Sequence, residues 1–209
     1  MTLYLDRALS LIGLSELPWS ELGLSDQIQG ELLRSVYCTC VGSLEFYFTF
    51  AGADALVHRI GVESGGSLST WLQGSTGKLY LKKFKKSRLS RGCDFEDVYV
   101  SVFSDFSGET FNRFSQIDEA LRLVLPAADV DATWCRISSR AIGREDVGAL
   151  AESLALMVER RNSIAHYSDF RLGAARLPIN SSTVARTRKL VEATLIETDR
   201  ALVEAWSWA

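Results

Sequence analysis

The sequence has few histidines and no cysteine pattern typical of a metal site or a disulfide framework. It contains only two histidines, and its four cysteines include no C-x-x-C pair. A structural zinc site needs about four closely spaced nitrogen or sulfur ligands, so we expect no metal and no other cofactor. Cys38 and Cys40 are expected to be reduced, buried apolar residues of a cytoplasmic protein.

The sequence also lacks a signal-peptide pattern and a clear membrane span. Asp6 interrupts the start of the chain, and no basic segment precedes a long apolar run there. The one membrane candidate is the range 35–53, in which Glu45 is the only charge. A carboxylate within a span costs about 2.5–3.5 kcal/mol on insertion, and flanking Lys and Arg clusters are missing. The range therefore favours a buried core helix, and a membrane-associated protein is the weaker alternative.

Proline is scarce as well, with 3 residues among 209, while 47% of the residues are hydrophobic and 23% are charged. This composition excludes collagen-like, coiled-coil and disordered classes. A chain of this length buries roughly two-thirds of its unfolded surface, which is enough for one core without disulfides or metal. We therefore expect one domain over residues 1–209.

Hydrophobic spacing predicts a mostly α protein, an up-and-down helical bundle with an irregular insertion in the middle. Helical patterns occupy the ranges 26–60, 115–125, 144–168 and 182–206. A break of the first helix near Gly52 is left open. Gly, Ser and Thr predict a loop over 61–77, and the range 98–103 fits either a strand or a capped helix.

One segment of the chain carries a strong excess of positive charge. The formal net charge is −3, yet the range 64–93 contains no Asp or Glu and seven Lys or Arg residues. A basic strip on an acidic body can bind phosphate groups, so we assign it to substrate binding. The alternative is a solvated polar connector. The strip consists of Lys78, Lys82, Lys83, Lys85, Lys86, Arg88 and Arg91. Our main candidates for substrate binding are Lys82, Lys83, Lys85, Lys86 and Arg88.

The helix predicted over 144–168 contains the residues best suited to chemistry. Arg161 falls within its apolar stripe, where an unpaired guanidinium is expensive to bury. Asn162 and His166 share a helix face, whereas Arg161 lies about 140° from His166. Imidazole exchanges protons near neutral pH, and a guanidinium binds phosphate oxygens through two hydrogen bonds. The alternative is an arginine that extends to solvent and a histidine at a helix end.

These residues resemble the motif of a known family. Arg161-Asn162 followed by His166 is similar to the Arg-x(4–6)-His signature of the HEPN superfamily, in its RNase-toxin and defence branch (RiboL-PSP-like HEPN). The surrounding range 150–167 resembles the penultimate long helix of that family. Leu33-Arg34-Ser35 and Leu44-Glu45-Phe46-Tyr47 resemble its first long helix. The range 61–143 has no match, so we treat it as an insertion into a HEPN-like helical domain that shapes access of substrate.

The resemblance implies metal-independent cleavage of RNA by its own 2′-hydroxyl, in a homodimer whose two motif helices line a shared cleft. His166 would transfer protons or hold the substrate, Arg161 would stabilise the phosphorane, and Asn162 would orient a phosphate or the imidazole. It also implies a toxin or antiviral effector that acts on RNA, with an antitoxin or another defence-system protein as a further partner. Since the range 35–53 favours a core helix, no membrane partner is expected. A non-catalytic HEPN-like RNA-binding or regulatory module is the alternative.

Glu45 is the lone charge of its apolar helix, and in related bundles an acidic residue at this point faces the motif helix. The resemblance therefore implies a Glu45–Arg161 ion pair, which would relieve two burial costs at once. The alternative is that Glu45 reaches solvent. Arg34 lies about 20° from Glu45 in helical phase, so both can lie along one line. Arg34, Arg160 and Tyr167 are further candidates for substrate contact.

Overall fold

The protein is described from a computed structural model over residues 2–13, 23–65, 67–91, 97–167 and 177–206. Within these ranges the backbone is predominantly helical and contains no strand, which confirms the mostly α class. A short 3₁₀ helix occupies Arg88–Arg91. The α-helices in chain order are α1 (Thr2–Gly13), α2 (Asp26–Ser64), α3 (Leu68–Gln73), α4 (Ser75–Lys83), α5 (Val98–Ser107), α6 (Phe114–Val124), α7 (Ala127–Ile142), α8 (Val147–Tyr167) and α9 (Ser181–Trp206).

Helix α2 is the centre of the bundle, and α1, α5, α6, α8 and α9 all pack against it. It runs for 39 residues without a break at Gly52. A Cβ at Gly52 would lie only 2.7 Å from Cε1 of Phe106, so the glycine allows close approach of α5. The helix ends at Gly65, whose φ of 54° is the left-handed conformation that commonly terminates helices.

The apolar character of α2 follows from its position in the core. Helix α2 is long and apolar enough to cross a membrane, but 61% of its most apolar window is buried by other parts of the bundle. The Tyr47 hydroxyl on this helix donates a hydrogen bond to Asp199 Oδ1 of α9 at 3.0 Å. Burial, with Asp199 alongside, raises the pKa of Tyr47 well above its usual value. The helix is packed as a core helix, as the sequence favours.

The loop predicted over 61–77 is wrong, because α2, α3 and α4 include most of that range. The Ser67 hydroxyl accepts a hydrogen bond from the backbone N–H of Thr70 and caps α3. A Cβ at Gly77 would lie 2.3 Å from the Trp71 carbonyl oxygen, so this glycine permits close packing of α3 and α4. The small residues that suggested a loop therefore act as caps and packing points of short helices.

The strand alternative for 98–103 is also wrong, because this range belongs to α5. Val98, Ser101, Val102 and Phe106 are buried, at the three- and four-residue spacing of a helix. With α6 and α7 following, the irregular character predicted for the middle of the chain is wrong. Whether the range 61–143 is an insertion into the domain stays a prediction.

Helix α8 packs on α2 and α7. Its start is capped by Asp146, whose Oδ1 accepts a hydrogen bond from the N–H of Ala149. Leu150, Leu154 and Met157 are buried and hold one face of α8 in the core. The opposite face and the C-terminal turns of α8 are therefore left to form surface and clefts.

The described cysteines are free, as expected. Cys40 is buried, and burial raises the pKa of its thiol to about 11. Cys38 is only half-buried, so the expectation of full burial is wrong for that residue.

Candidate functional site

Two long helices bring a carboxylate and a guanidinium together near the end of α8. Glu45 Oε2 on α2 lies 3.7 Å from Arg161 Nη2 on α8. The exposed fractions of the two side chains are 27% and 28%, so the pair borders solvent. The predicted ion pair is thus present, although the two charges are less deeply buried than the sequence suggested.

A third residue, Asn112, joins this pair from the loop between α5 and α6. Its Nδ2 donates a 2.7 Å hydrogen bond to Oε1 of Glu45, and Asn112 is itself buried. One oxygen of Glu45 therefore receives the amide while the other faces Arg161. A short hydrogen bond from a buried amide restricts the rotation of the carboxylate, so Asn112 orients Glu45 toward α8. Sequence reasoning missed Asn112, since it lies 67 residues from Glu45, in a segment where no motif was recognised from the sequence.

Asn162 lies on the other side of the guanidinium. Arg161 Nη1 donates a 3.2 Å hydrogen bond to Asn162 Oδ1. A guanidinium has five N–H donors, so the contacts to Glu45 and Asn162 leave donors for the oxygens of a phosphate. The arrangement can hold Arg161 in one orientation and still bind an anion.

His166 lies one turn farther along, in the last turn of α8, and is exposed. Because α8 is one continuous helix through both residues, Arg161 and His166 point about 140° apart. Within one chain the helix therefore directs them to different sides. Tyr167 ends α8, and its side chain lies outside the described residues.

Arg34 and Arg160 meet at the backbone that precedes α9. Arg34 Nη2 donates to the Leu177 carbonyl at 2.8 Å, and Arg160 Nη2 donates to the Leu177 and Pro178 carbonyls at 3.4 and 3.0 Å. Arg34 is buried and lies 4.0 Å from Glu31, so it supports this segment. Direct contact of Arg34 with substrate stays a prediction.

A cleft of about 1020 Å³ opens between the start of α6 and α8. Arg160, Asn162 and Ser163 line it from α8, and Arg113, Phe114 and Ser115 line it from the start of α6. Phe114 packs against Trp134 in a tilted arrangement, with ring centroids 4.3 Å apart. Aromatic rings beside arginines suit the bases and phosphates of a single-stranded nucleic acid. Arg113 and Phe114 were not recognised from the sequence, because no motif marks the segment in which they lie.

The basic strip folds as α4, the turn after it and the 3₁₀ helix that follows. It is ordered by buried Phe84 and Leu89 and by the Tyr80 hydroxyl, which hydrogen-bonds Ser87 and Asp105. The solvated-connector alternative is therefore wrong for these residues. The exposed members of the strip include Lys82, Lys85, Lys86 and Arg88.

Lys83 differs from its neighbours in the strip. Its Nζ lies 2.7 Å from Glu119 Oε2 and 3.4 Å from Glu109 Oε2, and only 9% of its side chain is exposed. Its charge is neutralised within the fold, so Lys83 contributes packing between α4 and α6. This finding corrects its assignment as a free phosphate contact.

The family model that matches the chain is described as RiboL-PSP-HEPN, and the match covers residues 6–204. It includes every residue of the Glu45–Arg161 site. No curated protein and no solved structure matches the chain.

Proposed function

Since the chain belongs to the RiboL-PSP-HEPN family, which supports a HEPN-type function on RNA, we propose that it is a metal-independent endoribonuclease. The observation that carries this proposal is Arg161, oriented by Glu45 and Asn162 on the helix that also carries His166. The family resemblance extends the proposal to a cytoplasmic toxin or antiviral effector, neutralised or accompanied by an antitoxin or another defence protein.

The reaction uses the RNA itself as nucleophile. The 2′-oxygen forms a bond to phosphorus, the bond from phosphorus to the 5′-oxygen breaks, and a 2′,3′-cyclic phosphate and a free 5′-hydroxyl result. His166 transfers the proton taken from the 2′-hydroxyl or given to the leaving oxygen. Arg161 binds the phosphate oxygens as negative charge accumulates on them, and Asn162 orients the same phosphate.

The divergence of Arg161 and His166 on one helix supports a composite site in a homodimer. In a two-fold pair of α8 helices, Arg161 of one chain can face His166 of the other. Leu156, on the exposed face of α8, is 66% exposed and provides an apolar contact for a second copy. The RNA strand would enter through the cleft beside Arg113 and Arg160.

The split of the motif within one chain also favours a second candidate, a non-catalytic RNA-binding or regulatory module. A chain that remains a monomer would keep Arg161 and His166 apart. Such a protein would bind RNA without cleaving it. The two candidates are separated by activity and by assembly.

The test of the proposal is cleavage of tRNA and mRNA by purified protein in EDTA. We expect products with 2′,3′-cyclic phosphate ends, and a loss of about 10²–10⁴-fold with His166→Ala. His58→Ala, which removes the only other histidine, is the matched control and should remain active. RNA binding by the wild-type protein without cleavage would favour the non-catalytic module.

Mixing two inactive variants tests the composite site directly. A heterodimer of Arg161→Ala and His166→Ala chains contains one doubly damaged site and one intact site. After subunit exchange, activity should therefore return to about a quarter of the wild-type value. A mixture that stays inactive despite exchange, or a strict monomer at micromolar concentration by light scattering, would contradict the shared site.

A further inference from the structure

The cleft between the start of α6 and α8 has a single carboxylate among its described lining residues, that of Glu159. Its side chain is exposed and makes no hydrogen bond or ion pair within the described part of the chain. Arg113 and Arg160 line the same cleft. A negative charge beside these arginines weakens the attraction of the cleft for phosphate groups, so phosphate binding does not account for Glu159.

The position of Glu159 on α8 places it next to the residues that would hold the phosphate. It lies one turn before Asn162 and Ser163 on the same helix face, and one turn rises by about 5.4 Å. In the proposed function Asn162 orients the reacting phosphate. Glu159 is therefore close enough to reach the base of a nucleotide that flanks this phosphate.

Phe114 lines the same cleft from the start of α6. Its half-buried ring is supported by Trp134 on α7, with ring centroids 4.3 Å apart. A base of a single strand packs well on such an aromatic surface, whichever base it is. Phe114 therefore contributes affinity for a base, and the choice between bases is left to a polar group such as Glu159.

The carboxylate of Glu159 can only accept hydrogen bonds, and it does so at both oxygens. On its Watson–Crick edge, guanine presents two neighbouring donors, N1–H and the N2 amino group, which one carboxylate accepts side by side. Adenine and cytosine each present one amino donor beside an acceptor nitrogen, and uracil presents one N–H between two carbonyl oxygens. An unpaired carboxylate in the cleft therefore favours guanine over the other bases.

We propose that Glu159 is a specificity-determining residue that reads a guanine next to the cleaved phosphate of a single-stranded RNA. Its two oxygens accept hydrogen bonds from N1–H and the N2 amino group of that guanine, while Phe114 packs against the base. This role rests on the proposed function for the position of the phosphate. The preference for guanine, however, is measured without any cleavage.

Fluorescence polarisation with 2′-O-methyl uridine oligomers tests the base preference, because these strands lack the 2′-hydroxyl and resist the proposed cleavage. The oligomers carry one central guanine, inosine or adenine. We expect the guanine oligomer to bind about ten-fold more tightly than the adenine oligomer. Inosine has N1–H and lacks the N2 amino group, so its oligomer should bind about three-fold more weakly than that of guanine.

Glu159→Ala should bind the three oligomers equally. It should also bind the adenine oligomer more tightly than the wild type does, because a charge that repels phosphates is gone. A purely structural role of Glu159 would not produce this gain. Glu152→Ala is the matched control, since it removes an exposed carboxylate of α8 that lies outside the described lining of the cleft. This control should keep the guanine preference.

Three results would overturn the proposal. They are equal binding of the guanine and adenine oligomers by the wild type, a guanine preference that survives Glu159→Ala, and equal losses of preference in Glu159→Ala and Glu152→Ala. Failure of the wild type to bind any oligomer would overturn it as well.

Mapping of cleaved ends in mRNA separates this proposal from the proposed function. We expect guanine beside the cleavage sites of the wild type and no base preference in those of Glu159→Ala. Cleavage without any base preference overturns the role of Glu159 and leaves the ribonuclease intact. Guanine-selective binding without cleavage supports the role of Glu159 and contradicts the ribonuclease.

Discussion

Two carboxylates on long helices face arginines of neighbouring helices, and they differ in how fully their charge is compensated. Glu197 on α9 has only 4% of its side chain exposed. It lies 3.2 Å from Arg140, 3.0 Å from Arg200 and 3.7 Å from Arg136. Three cations around one buried carboxylate tie α7 to α9.

Glu45 on α2 has one arginine, Arg161, at 3.7 Å and more than a quarter of its side chain exposed. Its shorter contact is the 2.7 Å hydrogen bond from Asn112. Glu45 therefore orients a guanidinium that still borders solvent, while Glu197 is enclosed by its partners. Under the proposed function, incomplete enclosure, rather than the presence of an ion pair, separates the candidate site from a structural cluster.

The largest effects are expected from neutralising each carboxylate in turn. Neutralising Glu45 should lower activity and spare stability, whereas neutralising Glu197 should lower stability and spare activity. Glu45→Gln should lower kcat for RNA cleavage about 10²-fold, because Arg161 loses its orienting charge. The melting temperature should change little, since a partly exposed pair contributes little stability. Glu45→Leu should also fold and be inactive.

Glu197→Gln is the matched comparison. It leaves arginines beside a buried neutral group, so we expect a loss of about 2 kcal/mol in unfolding free energy. The melting temperature should fall by about 4–8 °C, with cleavage by the folded protein retained. Calorimetry and initial rates measure both quantities. If the Glu45→Gln variant cleaved RNA at the wild-type rate, Glu45 would have only a structural role, and the proposed functional difference between Glu45 and Glu197 would be wrong.

A smaller effect is expected at Asn112, the residue that distinguishes Glu45 from Glu197. Asn112→Ala should lower kcat about ten-fold with KM little changed, because Glu45 can rotate away from Arg161 while the RNA surface remains. Asn112→Asp should be worse, since it places a second carboxylate against Glu45.

Gln116→Ala provides the control for Asn112. This half-buried amide of α6 binds the Thr110 hydroxyl and the backbone N–H of Arg113, and it has no described contact with Glu45. Single-turnover rates and melting curves separate positioning from packing. A change in stability that fully accounts for the lost activity of Asn112→Ala would remove the positioning role.

The smallest effect is expected in the basic strip. Lys83 is paired there with Glu109 and Glu119, just as Glu197 is paired with arginines. Neutralising Lys82, Lys85, Lys86 and Arg88 together should weaken RNA binding at low salt. The log–log salt slope should flatten by about two to three units, with cleavage at saturating RNA retained.

Lys83→Ala tests the opposite behaviour within the same strip. It should lower the melting temperature and leave the salt slope nearly unchanged, because its charge is already paired. Filter binding at three salt concentrations measures the slope. An unchanged slope in the four-residue variant would exclude docking of RNA on the strip.

The candidate site was only partly predictable. Glu45 stood out as a single charge in an apolar helix, and the family motif marked Arg161 and His166 as a pair. Asn112 had no such signal, because an asparagine in a loop is common and its contact joins residues far apart in the chain. The helices within 61–77 were not predicted for a related reason. Residues such as Ser67 and Gly77 are common in loops, but here Ser67 caps α3 and Gly77 allows α3 and α4 to pack closely.

Local spacing in the sequence by itself determined the long helices and the angle between Arg161 and His166, since helical periodicity depends only on neighbours along the chain. The tertiary structure decided which charges are enclosed and which face a cleft. It placed Asn112 on Glu45, closed Glu109 and Glu119 over Lys83, and left Glu159 in the wall of a cleft. These outcomes depend on contacts between distant segments, whose geometry is set by packing of the whole bundle.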